Sequence, residues 1–449
     1  MAGIASHIHF RGLYHYTQCL HNWFYYRHRR FVNRQLVPAP GTPVLVVANH
    51  QNALGDPLAL EFAFSDRRLS IFARADIFQK KFLNFFFRAI YVLPSYRMRT
   101  DGEASVSKNF SVFNEAAQRL LDGGTLAIFP EGTNQPGHWL GEFSLAYLRL
   151  AFEAAELSGW QKDIQILPVG LHYESYFRFH TDQLVSFGQP ISLQPYYERY
   201  QTKPRTVQRE VDALVCERLK ALMLHIDTET DREAVELLRE GIGRAVSEIR
   251  AGGRQRLDAQ LQSDRHLVER MENLQQTDPK QWKLLRDEVT DVEQEIRSWG
   301  MRHWLFYRPW RLWRLLQEIL LLLIASPLAA VGFAAVGPIV LAMRPLIRKF
   351  RQMGGPFPLF QSGVQFIGLM VLPLWFVLIG LLVGALSLWW AGLAVALLLP
   401  LAGMCAWRWS VGLKKTLGMC RYRRLMRDEE GTALAERWRM LYKKLKTLI

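Results

Sequence analysis

The most constraining feature of this 449-residue chain is a pair of long uncharged stretches in its last third. Residues 319–343 carry no charge for 25 positions, between Glu318 and Arg344. A second uncharged stretch runs over 352–407, and its apolar part begins near Val364. A membrane's hydrocarbon core takes about 20 apolar residues per helix. The second stretch has room for two spans, with a turn near 387–392 that sets Trp389 and Trp390 at the interface. Gly380 and Gly384 are spaced to let two helices approach closely. The first stretch suffices for one span, or for a shallow re-entrant hairpin bent by Pro327 and Pro338. A buried soluble hairpin is the alternative, but such helices rarely run this long without charge.

Charge sharpens the reading. The chain has 56 Lys and Arg against 41 Asp and Glu, a net +15. Residues 301–449 hold 20 of the basic residues and only 5 of the acidic ones, so the first 300 are neutral as a block. Positive charge around apolar runs points to an anionic membrane leaflet rather than to nucleic acid. Basic clusters flank each boundary: Arg302, Arg308, Arg311 and Arg314; then Arg344, Arg348, Lys349 and Arg351; then Arg408, Lys414, Lys415 and Arg421. Positive charge in short loops stays cytoplasmic. Two spans in 364–407 satisfy this, while 319–343 is then expected to be re-entrant, with Pro327 near its deepest point, or else a tilted and exceptional span. The remaining chain and Ile449 would face the cytoplasm. Cys19, Cys216, Cys405 and Cys420 lie far apart, which argues against a disulfide framework.

The first 55 residues contain no Asp or Glu. Leu13, Tyr16, Leu20, Trp23, Phe24 and Tyr26 fall roughly on one side of a helix, followed by Arg27, Arg29, Arg30 and Arg34. Aromatic and basic residues together suggest a helix in the headgroup region over 1–37. A core-packing first helix with a basic end fits the same pattern.

After Pro38 the pattern becomes α/β. Strand-like runs at 44–48, 69–75, 90–93, 126–129 and 164–169, with a last strand and turn at 185–190, alternate with helical patterns at 57–64, 78–88, 105–121 and 142–158. Such alternation predicts a mostly parallel sheet with helices on both faces, occupying 38–204. Residues 205–300 read as a polar helical linker or small bundle, and 301–449 as the membrane region, with two to four apolar helices and a basic tail. Glu240-Gly241-Ile242-Gly243-Arg244 follows no strand, so it is a poor nucleotide loop.

Several short blocks directly follow strands, where ligands of open α/β sheets usually sit. In 49–57, NHQNALGDP, His50 is the side chain best placed to take a proton near neutral pH. Asp56 can hold its imidazole in one tautomer and stabilise the imidazolium. The bland reading is a satisfied loop histidine and an N-cap aspartate. Both groups sit in a loop, so neither is expected to anchor the core. In 129–134, FPEGTN, the residues Phe129, Glu131, Gly132 and Thr133 form a Gly-bearing turn able to contact a hydroxyl- and phosphate-bearing ligand. Arg97, in LPSYR at 93–97, is a natural phosphate partner, though a lone surface arginine is commoner. Pro168 and Gly170, in ILPVG at 166–170, suit an acyl-chain wall or a plain buried strand.

In order, these blocks resemble the four motifs of the glycerolipid acyltransferase superfamily, which includes the lysophosphatidic acid and glycerol-3-phosphate acyltransferases. Residues 49–56 are similar to the family's N-H-x4-D block, with five residues rather than four between His50 and Asp56. Residues 89–97 resemble its arginine-bearing block but lack the usual glycine, with Ala89 in that region. Residues 129–133 match F-P-E-G-[ST], and 167–170 resemble [VI]-P-x-G. Asn134 stands where an arginine or another polar residue is common.

The resemblance, over about 40–195, implies acyl transfer from a thioester, acyl-CoA or acyl carrier protein, to a hydroxyl of a glycerophosphate-type acceptor. The favoured acceptor is 1-acyl-glycerol-3-phosphate, in phospholipid biosynthesis. Glycerol-3-phosphate or another lyso-lipid is the alternative. In this reading His50 and Asp56 are catalytic, and Arg97, Phe129, Glu131, Gly132, Thr133, Pro168 and Gly170 bind substrate. No cofactor is expected beyond the acyl-CoA or acyl carrier protein co-substrate. No metal is expected, because there is no H-E-x-x-H and no Cys/His cluster. Without a G-x-S-x-G elbow, direct transfer is simpler than a serine acyl-enzyme. The expected partners are membrane phospholipids, the thioester donor and the acceptor, with no nucleic acid. The catalytic part is expected on the cytoplasmic face of a membrane. Two rivals are a membrane-anchored lipid-binding protein without activity and a transporter. Spans without internal charge make a poor transport pathway.

Overall fold

The computed structural model describes residues 12, 14–64, 66–67, 69–78, 92–95, 104–134, 137–176, 178–307, 312–352, 365 and 367–448. The chain forms two compact units, Met1–His225 with Pro356–Gln365, and Ile226–Gly355 with Phe366–Ile449.

The first unit is built on one mixed, mostly parallel sheet. Its strands are β1 (Tyr26–Val32), β2 (Val44–Ala48), β3 (Leu69–Arg74), β4 (Val92–Ser95), β5 (Thr125–Ile128), β6 (Gln165–Tyr173), β7 (Thr181–Phe187) and β8 (Ile191–Ser192). They lie in the order β1-β7-β6-β2-β5-β3-β4, with β8 on β6. Pairing is parallel except that β7 and β8 run antiparallel to β6. All five residues of β2 are fully buried, as a central strand covered on both faces requires. Parallel β5 and β6 flank it, so the turns leaving β2 and β5 and the end of β6 meet at one sheet edge.

Helices α1 (Gly55–Ala63), α2 (Ala104–Leu121), α3 (Ala146–Leu157) and α4 (Pro204–Lys220) complete this unit. Leu45, Leu126, Leu148, Phe152 and Ile166 share one core with Val207, Val211 and Val215 of α4. Helix α4 thus packs on the sheet, although the sequence reading begins its linker at 205. The helical pattern at 78–88 lies outside the described residues beyond Phe78.

The N-terminal expectation is corrected. Helical backbone covers residue 12 and residues 14–25, ending in a π-turn at Leu20–Tyr25, and the chain then becomes strand β1. Arg27, Arg29 and Arg30 are strand residues, and Tyr26 opens the strand rather than closing a helix. Leu13 lies outside the described residues. Pairing explains the difference: β1 runs in parallel register with β7 and covers what would otherwise be an open sheet edge.

The second unit is helical. Helices α5 (Leu257–Thr277) and α6 (Pro279–Ser298) form a hairpin turned at Asp278, which caps α6 by accepting the Gln281 N–H at 3.0 Å. The glycines at 241 and 243 lie in a π-turn inside a helix, not in a loop. A side chain at Gly241 would meet the His303 ring, and one at Gly243 would meet Leu267.

Three further helices are long and apolar enough to cross a membrane. They are α7 (Leu312–Gln352), a helix beginning at Ile367 whose main part is α8 (Leu372–Leu386), and α9 (Trp389–Leu425). The turn falls at Ser387 and Leu388, with Trp389 and Trp390 exposed beside it, as the sequence suggests. Gly380 and Gly392 meet backbone to backbone. A Cβ at Gly392 would sit 2.3 Å from the Gly380 carbonyl oxygen. Along α7 and α9, which run antiparallel, Trp409 Nε1 donates to the Leu322 carbonyl at 2.9 Å, and Gly332 abuts Ala402. Helix α10 (Glu429–Leu448) closes the chain.

The re-entrant expectation for 319–343 is corrected: α7 is one continuous helix of 41 residues with Pro327, Pro338 and Pro345 inside it. Pro327 leaves the Leu323 carbonyl without its helical donor, and the Ser326 hydroxyl takes that carbonyl at 2.7 Å. Local repair of this kind lets proline stand within an apolar helix.

Candidate active site

The site is set where β2 stops. His50 follows the strand by two residues and Asp56 lies in the first turn of α1. Between them Ala53 adopts a positive φ of 32°, and Gly55 packs so closely that a Cβ would lie 2.7 Å from the Asn52 amide nitrogen. His50 Nδ1 and Asp56 Oδ2 lie 3.0 Å apart. With the carboxylate as acceptor, Nδ1 carries the proton and Nε2 is the basic nitrogen.

Asp56 does more than orient a ring. Its Oδ2 also accepts the N–H groups of Gln51 at 2.8 Å and Asn52 at 2.7 Å, and its Oδ1 accepts the Tyr173 hydroxyl at 2.7 Å. It is fully buried. The expectation that Asp56 does not anchor the core is therefore corrected, because removing it would orphan several buried donors.

Phe129 stacks on the His50 imidazole, with ring centroids 4.3 Å apart and planes at 19°. Glu131 reaches back from the turn after β5. Its Oε1 accepts the His50 N–H at 2.8 Å and its Oε2 accepts the Gly141 N–H at 2.9 Å. Burial pushes the Glu131 carboxyl above the ordinary glutamate range, against the pull of these two donors. Gly132, at a φ of 66°, supplies the left-handed residue of this turn, and Gly132 and Thr133 are exposed.

Pro168 and Gly170 lie on β6. The Pro168 carbonyl accepts the Gly188 N–H at 2.9 Å, and a Cβ at Gly170 would lie 2.5 Å from the Leu222 carbonyl oxygen. Their packing holds β6 against the turns that follow β7 and α4. Arg97 lies outside the described residues. Thus His50, Asp56, Phe129 and Glu131 come together, whereas Pro168 and Gly170 are scaffold contacts near them in the sheet.

Sequence reasoning missed Tyr173, Tyr176, Asn49 and Gln51. Asn49 clamps β2 to β6 by exchanging two hydrogen bonds with the Leu171 main chain, at 2.7 and 3.0 Å. Gln51 accepts the Tyr176 hydroxyl at 2.6 Å. The available signal was position: Tyr173 ends β6 at the sheet edge where the motifs gather, but lies beyond the block that ends at Gly170. Among the described residues, no three His, Cys, Asp or Glu side chains gather in a way that could hold a metal ion.

Residues 28–172 match the acyltransferase family model, the same segment that brings His50, Asp56 and Glu131 together. That segment, about a third of the chain, is similar to the acyltransferase family. Over 124 residues, 26% of this chain, it is 32% identical to "Uncharacterized acyltransferase C1718.04" of Schizosaccharomyces pombe. The match spans 18% of that relative's length. Among solved structures, the chain is similar to the 1-acyl-sn-glycerophosphate (LPA) acyltransferase PlsC from Thermotoga maritima. The TM-score is 0.31 at 19% identity, over 45% of this chain and 78% of that one.

Proposed function

We propose that the protein is a membrane-bound O-acyltransferase that moves a fatty acyl group from a thioester, acyl-CoA or acyl carrier protein, to the hydroxyl of a glycerophosphate-type acceptor. The favoured acceptor is 1-acyl-glycerol-3-phosphate. The observation that carries the reading is the His50–Asp56 pair, 3.0 Å apart at the end of a central strand and braced by the FPEGT turn.

In this mechanism His50 Nε2 removes the acceptor hydroxyl proton as the oxygen attacks the thioester carbonyl. The developing imidazolium is stabilised by Asp56 across Nδ1–H. The tetrahedral intermediate then expels the thiolate, which takes the proton from His50. General-base help of this kind contributes about 10²–10⁴-fold. Phe129 covers one face of the imidazole and limits its rotation. Glu131 fixes the His50 main chain rather than its ring. Gly132 and Thr133, exposed at the turn, are the part of this block open to an acceptor. Arg97 is proposed to meet the acceptor phosphate, and Pro168 and Gly170 to shape the wall beside the acyl chain. The domain is proposed to work at the cytoplasmic face, where both kinds of thioester are found.

Purified full-length protein offered both thioester donors and a panel of lyso-lipid and glycerophosphate acceptors, read by lipid mass spectrometry, tests the reading. An acylated product dependent on His50 is expected. Thioester consumption that is the same in His50→Ala protein would overturn it.

A further inference from the structure

Tyr173 is the one donor to Asp56 Oδ1 among the described residues, and it sits at the end of a buried polar row. Across the sheet, Arg29 of β1 stands opposite Gln183 of β7, and Gln183 stands opposite Tyr173 of β6. Arg29 Nε donates to Gln183 Oε1 at 2.8 Å, while the buried Gln183 amide nitrogen has no hydrogen-bond partner among the described residues. Tyr173 then donates to Asp56 at 2.7 Å, and Asp56 holds His50 at 3.0 Å. Hydrogen bonds thus run from Tyr173 through Asp56 to His50, and Arg29 with Gln183 forms a separate pair across the sheet from them.

Arg29 is unusual in this row. Its other acceptors are the Asn22 side chain and, at 3.4 Å, the Ala59 carbonyl, all neutral groups. No ion pair to Arg29 occurs among the described residues. The Arg29 side chain is half-buried, and burying a guanidinium without a carboxylate is costly. Burial pulls Arg29 down to about 10, so it remains a cation at neutral pH. The carboxylate at the far end of the row is Asp56. Burial keeps the Tyr173 hydroxyl protonated, well above the ordinary tyrosine range, so it is a donor at any working pH. The titratable or charged groups facing Asp56 and Tyr173 among the described residues include His50, Glu131, Tyr26, Tyr176 and Arg29.

We propose that Tyr173 is a positioning residue for the His50–Asp56 pair, with the Arg29 cation acting on it from across the sheet through its charge. It rests on the acyl-transfer reading for its consequence in turnover, though not for its effect on His50. A phenol O–H on Oδ1 fixes the plane of the carboxylate and draws off part of its negative charge. Without it, Asp56 turns more freely and bears more fully on the imidazolium. The His50 imidazolium is then harder to deprotonate and worse aimed.

Tyr173→Phe, which deletes one oxygen, is the test variant. The full chain in detergent, labelled on histidine and with the His50 signal identified by its loss in His50→Ala, is titrated by NMR. The His50 pKa should rise by about half a unit to one unit. Turnover should fall about tenfold, the acid limb of its pH profile should move up by the same amount, and both KM values should stay within about twofold. Arg29→Gln should shift His50 in the same direction by less, because it acts from further away. An unmoved His50 titration overturns the proposal, whether turnover is unchanged or both KM values rise together. If the wild-type protein transfers no acyl group, the acyl-transfer reading falls, and the titration still decides the role of Tyr173.

Discussion

His50 and Glu131 meet through the main chain: the Glu131 carboxylate accepts the His50 N–H at 2.8 Å, and the imidazole points elsewhere, to Asp56. The glutamate of the FPEGT turn therefore holds the segment that carries the proposed base. Glu131→Gln keeps the shape but turns an amide N–H₂ toward one of two backbone donors. Its kcat should fall about 10–100-fold, with the KM for the thioester little changed. Steady-state kinetics on both substrates checks this.

His50 and Asp56 should separate in stability although both abolish transfer. His50 is partly exposed, so His50→Ala should lose about 10²–10⁴-fold in turnover and keep its thermal midpoint. Asp56→Ala leaves a buried Tyr173 hydroxyl and two backbone N–H groups unpaired, and should cost about 2–4 kcal/mol as well. Thermal melts beside activity distinguish the two.

Glu61 on α1 gives a pH dependence. Burial pushes its carboxyl up to about 8. Between the ordinary glutamate value and that one, the folded chain holds a proton that the unfolded chain has lost. Stability from this group is present at low pH and is lost as pH rises toward 8. Glu61→Gln should therefore raise the thermal midpoint at pH 8.5, by the equivalent of about 1–3 kcal/mol, and change little at pH 5. Melts at the two pH values check the sign.

Gly392 has no room for a side chain, since a Cβ would fall 2.3 Å from the Gly380 oxygen. Gly392→Leu should separate α8 from α9 and lower the yield of folded protein in membranes, while Leu393→Ala, on an exposed leucine, should not. Size-exclusion profiles of detergent extracts show the difference.

Helix α7 is unbroken, so Arg314 and Arg348 lie about 50 Å apart along it. That exceeds the roughly 30 Å of a hydrocarbon core. Single cysteines placed at 302 and 344 should react with an impermeant reagent from opposite sides of sealed vesicles. Labelling of both from one side would mean that α7 does not cross.

Much of the fold was legible in sequence because it rests on periodicity. The continuous apolar run of β2 gives a central strand, and the uncharged runs give the apolar helices. The errors came where tertiary pairing overrides local pattern. Tyr26 and Arg27 through Arg30 continue the aromatic and basic pattern of the preceding helix, and only β7 as partner makes them a strand. Pro327 reads as a break, yet the neighbouring Ser326 hydroxyl repairs the carbonyl it frees. In the site, His50, Asp56 and Glu131 were visible because their spacing is local to turns after strands. Tyr173 was not, because its meaning depends on Asp56, 117 positions earlier.

That separation bears on how the protein is made. His50 emerges from the ribosome early, but its loop depends on Glu131, 81 residues later, and the Asn49 clamp on Leu171, 122 residues later. At ordinary elongation rates the wait is roughly 6–25 s. Throughout it the nascent chain has a histidine but no seat for one. The site can form only after β6 has joined β2, and α7 is still unsynthesised at that point. The partners that seat His50 are therefore all made before the apolar helices, whereas Pro356–Gln365, of the same compact unit, is made only after α7.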